Sequence, residues 1–95
     1  MNRDEFSIKI ERAFVELVDK RADTRGYKKG EFAAKVWNDD TPKSAGRRWS
    51  VIRNTAKNTG KPQGVLISDA YRMAEVLGEN LGYLLAVAEE KAKGL

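Results

Sequence analysis

A small all-helical bundle is the fold class this sequence predicts. Apolar residues recur at three- and four-residue spacing along most of the chain, and helix starters and breakers punctuate that pattern at short intervals. No internal repeat or low-complexity tract interrupts it. The expectation is a compact five-helix orthogonal bundle forming one domain over residues 1–95. A chain of this length buries about 60–65% of the surface its unfolded form exposes, enough for one core.

The first helix is expected from Asp4 to about Arg21. Phe6, Ile10, Ala13, Phe14, Leu17 and Val18 form its apolar stripe, widened by Ile8 and Val15. Asp4 is its expected cap, and Arg25-Gly26 ends it or begins the next connection. A second, short helix is expected over 28–37, burying Phe32, Ala33, Val36 and Trp37. Asn38-Asp39-Asp40 breaks it, because these side chains compete for local backbone bonds. Thr41-Pro42 starts a third helix over 42–54. Threonine caps, and proline at the first helical position gives up an N–H that has no helical partner anyway. Ala45, Trp49, Ile52 and Ala56 fall on its inner side. Thr55 to Gly64 reads as loop, with an extended piece possible at Val65-Leu66-Ile67. Ser68-Asp69 is expected to cap a fourth helix over 69–77, stopped by Gly78, and Asn80 to cap a fifth over 81–93.

Composition narrows the chemistry. Neither cysteine nor histidine occurs, which removes disulfides, zinc–thiolate sites, cysteine or histidine nucleophiles and imidazole acid–base work. No carboxylate pair or nucleophile–base set stands out, so no enzyme, metal or cofactor is expected. Asp39-Asp40 reads as a turn rather than a metal pair. No apolar run approaches the roughly 20 residues of a membrane span, and the acidic opening residues do not resemble a signal peptide. A cytoplasmic protein is expected.

The net charge is +4, and its distribution carries more than its size. From Thr41 to Ser68 there is no Asp or Glu, while Lys43, Arg47, Arg48, Arg53, Lys57 and Lys61 all occur there. A second basic cluster, Lys20, Arg21, Arg25, Lys28 and Lys29, lies around the junction of the first two helices. The segment from Asp69 onward is mildly acidic. With Ala45 set toward the core, Trp49 and Ile52 lie within about 40° of it at 100° per residue. The opposite side then carries Lys43, Arg47, Ser50 and Asn54, flanked by Ser44, Val51 and Gly46. Arg, Lys, Ser and Asn are the side chains that read base edges and hold phosphates in a major groove. The bland alternative is a solvated basic face. Trp37 and Trp49 are expected in the core rather than stacked on bases.

Met73-Ala74-Glu75-Val76-Leu77-Gly78-Glu79-Asn80-Leu81-Gly82-Tyr83-Leu84-Leu85 resembles the Cro/phage-repressor-like (XRE-type) helix-turn-helix family. That family closes a helix with Ala-x-x-Leu-Gly and resumes with Leu-x-x-Leu-Leu. Gly26 to Val36 is similar to the segment that opens its second helix, with Ala33 at the small buried position. The chain departs from the pattern in four places. Trp37 stands where a turn glycine is usual, the turn is longer by about two residues, Lys29 replaces a glutamine often found there, and the loop from Thr55 to Gly64 is longer than usual. The resemblance implies a lambda-repressor-like fold and a repressor-like transcriptional regulator, of the kind found in phages and mobile elements. It places the third helix in the major groove with the second bracing it. Lys43, Ser44, Arg47, Ser50 and Asn54 then face bases, and Lys28, Lys29, Arg48, Arg53, Lys57 and Lys61 bind phosphate. The expected partner is double-stranded DNA, met as a homodimer on a palindromic site, with Tyr83 to Leu95 as a dimer surface or as core packing. The second reading left open is a protein-interaction module, an antitoxin or adaptor.

Overall fold

The computed structural model describes residues 3–54 and 64–94. Its elements in chain order are α1 (Arg3–Thr24), α2 (Lys29–Val36), α3 (Pro42–Arg53), α4 (Ile67–Leu77) and α5 (Leu81–Ala92). Among the described residues there is no strand, so the protein is an all-α bundle. The packing is paired: α1 lies against α5, and α2 against α3, while α4 touches α1, α2 and α5.

The N-terminal helix is longer at both ends than its stripe suggests. It begins at Arg3, so Asp4 sits inside the first turn instead of capping it. It runs to Thr24 because Gly26, at φ 82, closes it. Tyr27 N–H donates to the Ala22 carbonyl at 3.1 Å and Gly26 N–H to that of Asp23 at 2.9 Å, the paired bonds of a glycine-terminated helix end. Phe14, Val15, Leu17, Val18 and Ala22 are buried, but Ile8 is 59% exposed and does not widen the stripe. The same closing motif ends α4. Gly78 takes φ 68, Glu79 N–H donates to the Ala74 carbonyl and Gly78 N–H to that of Glu75. Asn80 caps α5 as expected, its side chain accepting the Tyr83 amide at 3.0 Å.

The start of α4 differs from the sequence expectation. The helix begins two residues early, at Ile67, after an extended Leu66 that offers no side-chain cap. Asp69 turns inward, is only 6% exposed, and accepts the Trp37 indole N–H at 3.0 Å. Capping chemistry looks the same in sequence whether the carboxylate serves its own helix or a distant one. Here a buried indole donor 32 residues away wins it, because a buried N–H without an acceptor is costly. Of the piece expected to be extended at 65–67, Leu66 is extended and Ile67 already belongs to α4.

Trp37, Phe32, Trp49, Ile52, Met73, Leu84 and Val18 are the largest fully buried side chains. Four aromatics run through the α2–α3 contact. Ring centroids are 6.1 Å apart for Tyr27–Phe32, 5.5 Å for Phe32–Trp49 and 6.4 Å for Trp37–Trp49, all tilted. Such pairs are worth about 0.5–1.5 kcal/mol beyond the area they bury. The two tryptophans differ in one respect. Trp37 has its acceptor in Asp69, whereas the buried Trp49 Nε1 has none among the described residues.

That contrast predicts unequal phenylalanine substitutions. Trp37→Phe strands the buried Asp69 carboxylate and should cost about 1–3 kcal/mol more than packing loss alone. Trp49→Phe removes an unmatched donor and should cost less. Urea unfolding of both variants is the measurement, and equal midpoints would remove the Trp37–Asp69 bond from the stability account.

Candidate nucleic-acid interface

The third helix carries only three buried residues, Ala45, Trp49 and Ile52, all on one side. This is the face the 100° projection places inward, so its outer side follows. Lys43, Ser44, Arg47 and Asn54 are exposed, Ser50 is half-buried, and Val51 reaches the surface beside them. Ser50 and Asn54 are joined by a 3.2 Å hydrogen bond from Asn54 Nδ2 to Ser50 Oγ. Lys43 and Arg47 make no ion pair among the described residues. Two cations with free heads and three small polar groups therefore share one surface without a carboxylate among them.

Both ends of α3 are fixed. Thr41 Oγ1 accepts the Ser44 amide at 3.1 Å, and Pro42 supplies the first helical φ. At the other end Arg12, on α1, donates from Nη1 to the Ile52 carbonyl at 2.7 Å. A guanidinium on a last-turn carbonyl satisfies an unpaired acceptor and favours the negative end of the helix dipole. Its neighbour Glu11 accepts the Val65 amide at 3.1 Å through Oε2 and pairs with Arg12 through Oε1 at 3.4 Å. Adjacent residues of α1 thus hold the chain on both sides of segment 55–63. Nothing in the local pattern of Glu11-Arg12 signals this, since both partners are backbone atoms far along the chain.

The turn into α3 is built without a left-handed residue. Trp37 has φ −112, and no non-glycine residue among those described has positive φ. The reversal is spread over Trp37 to Thr41, and the bulky core residue Trp37 stands in it without needing the left-handed backbone that favours glycine.

The expected phosphate-binding residues divide into three groups. Lys28 is exposed at the start of α2, where its amide donates to Glu31 Oε1 at 2.9 Å. Lys29, Arg48 and Arg53 already have partners inside the chain. Lys29 Nζ sits 2.9 Å from Asp19, and Arg48 sits 3.8 Å from Asp40 with its guanidinium 5.3 Å from the Trp37 ring. Arg53 is half-buried, 5.5 Å over the Trp49 ring. Lys57 and Lys61, with the Ala56 expected on the inner face, lie outside the described residues.

The second basic cluster is largely spent on structure. Arg21 and Arg25 converge on Glu79, at 2.7 and 2.8 Å, across the α4–α5 turn. A hydrogen bond to Tyr83 raises the Arg21 pKa, opposed by desolvation and helped by the Glu79 charge. Lys20 and Lys28 remain exposed. On α5, Leu84, Ala88 and Ala92 face the core, which leaves Tyr83, 54% exposed, as its large outward apolar residue. Among the described residues no group of three or more acidic side chains is placed to hold a metal ion. No described helix is long and apolar enough to cross a membrane.

No family model matches the chain, and comparison with curated proteins and with solved structures returns no significant match.

The cap at Thr41 gives a check on this surface. Thr41→Ala should cost about 0.5–2 kcal/mol of stability, and Thr41→Ser much less. Denaturant unfolding compares them. If alanine is as stable as serine, the start of α3 is set by Pro42 and tertiary packing alone.

Proposed function

We propose that this protein is a sequence-specific, double-stranded-DNA-binding regulator of the helix-turn-helix kind, repressor-like in action, with α3 as the helix that enters the major groove. One observation carries the reading: the outer face of α3 is free of acids and presents Lys43, Ser44, Arg47, Ser50 and Asn54 over a side anchored by Trp49. A packed inner face makes the outer one rigid, which base recognition requires. In this reading Arg47 and Lys43 take guanine edges, the Asn54–Ser50 pair contacts an adjacent base, and Lys28 with the basic residues after α3 holds phosphate. Lys29, Arg48 and Arg53 reach phosphate only by leaving or sharing the partners named above. The family resemblance in the sequence supports the same assignment, and with it a cytoplasmic, non-enzymatic role.

Two-fold pairing belongs to this reading, because one short helix contacts too few base pairs for an operator. Selection from a random duplex library, followed by sequencing, tests both parts. An enriched motif with inverted half-sites supports them; no enrichment over input removes the proposal.

Two measurements on the selected duplex refine it. Arg47→Ala should lose about 1–3 kcal/mol of binding and blur the preference at one position, whereas Lys57→Ala should weaken all sequences alike. If about five phosphates are neutralised per protomer, the log–log salt slope should be near −4 to −5 per protomer. A slope near zero, or parental affinity in both variants, assigns DNA binding to another surface or to none.

A further inference from the structure

Away from α3, two shallow depressions open side by side between α1, α4 and α5. The first, of about 170 Å³, is lined by Ile10, Phe14, Val65, Ile67, Ala70 and Leu85 together with Ser7 and Glu11. The second, of about 350 Å³, shares Ile10 and Leu85 and continues over Gly82, Ala86 and Glu89. The shared residues make one groove. Its edge is unusually apolar for a surface, since Ile67 is 74% exposed and Leu66 beside it 61%. Adjoining exposed apolar residues of this kind mark an interaction site more often than chance.

The charge along this groove is of one sign. Its ionisable lining groups among the described residues are Glu11 and Glu89, with no Lys or Arg. Glu11 is engaged by Arg12 and the Val65 amide, so Glu89 is the carboxylate that faces a partner without an ion pair among the described residues. Glu89 is exposed on α5 and lines the groove at its solvent edge. A polyanion is repelled here. A second copy docked by a two-fold axis through this groove would set acidic rim against acidic rim.

We infer that the α1–α4–α5 groove is a docking site for a basic amphipathic helix of another protein, which seats aliphatic side chains over Ile10, Ile67 and Leu85 and places Lys or Arg against Glu89. Helix-in-groove recognition uses this combination of apolar anchors and a charged rim. The groove shares no lining residue with α3, so a partner seated there leaves the cationic face open.

The probe is a synthetic helix of about five turns with leucines at i, i+3, i+4 and i+7 and lysine elsewhere. A control peptide carries glutamate in place of lysine. Fluorescence anisotropy at physiological ionic strength reads binding of each. The net positive charge of the whole chain opposes the lysine peptide, so its binding requires a local acidic surface. The expected result is lysine-peptide binding at least about tenfold tighter than that of the control, weakened about tenfold by Ile67→Lys and by Glu89→Lys. Both side chains are solvent-exposed, and unchanged thermal melts would certify the folded state of the variants. Equal affinity for the two peptides, or lysine-peptide binding indifferent to both substitutions, overturns the inference. So does self-association that Ile67→Lys abolishes, which would give the groove to a second copy.

Discussion

Trp49 is the interaction on which the rest of this molecule depends. The α3 helix is rich in polar and cationic residues, and it has only Ala45, Trp49 and Ile52 with which to hold itself to the bundle. Fully burying one large side chain contributes about 1.5–3 kcal/mol relative to exposure, so the tryptophan supplies much of the anchoring. It sits in contact with Phe32 on one side and Trp37 on the other, both contributed by α2 and the residue that ends it. The rotation of α3 about its own axis is set by that contact. Whatever Lys43 and Arg47 face, they face it because the indole points the other way.

The aromatic contact alone would leave α3 free to fray or slide, and its own cap together with polar contacts from two other elements limits that. Thr41 and Pro42 set its first turn, and Arg12 of α1 holds the Ile52 carbonyl in its last turn. Asp69 of α4 ties down the Trp37 indole and thereby one wall of the pocket in which Trp49 packs. Arg12 is half-buried and Asp69 and Trp37 are buried, where an unmatched polar atom costs about 1–3 kcal/mol. The unsatisfied Trp49 Nε1 is the exception. Volume and shape, rather than its donor, explain the indole at this position.

What was legible in the sequence was what is decided locally. The inward side of α3 follows from residue spacing, and Ala45, Trp49 and Ile52 are buried as the projection requires. The helix ends at Gly26, Gly78 and Asn80 follow from backbone freedom and a cap within three residues. Choices settled across the fold were not legible. Asp69 reads as a cap and is instead an acceptor for the indole at the end of α2, and α4 starts at Ile67 without a side-chain cap. Arg21 and Arg25 read as free cations, yet Glu79 more than fifty residues away neutralises them. Lys29, Arg48 and Arg53 likewise look available in sequence and are engaged in the fold. A charge count overstates the cationic surface, since each internal pair or ring contact removes a head group from it.

That subtraction sharpens the surface more than it weakens it. Among the basic residues expected to contact nucleic acid, those left with free head groups in the described structure are Lys28, Lys43 and Arg47. Two of the three stand on the outer face of α3. Acids are partitioned in the opposite sense: Asp19, Asp40 and Glu79 are drawn into pairs with nearby cations, while Glu75 and Glu89 stay open on α4 and α5. Each pair also ties separate parts of the fold together: Arg21 and Arg25 at the end of α1 reach Glu79 beyond α4, and Lys29 of α2 reaches Asp19 of α1. In the proposed DNA-binding reading, a substitution that frees Arg21 or Arg25 from Glu79 would loosen the bundle and add unpaired cations away from α3 at the same time.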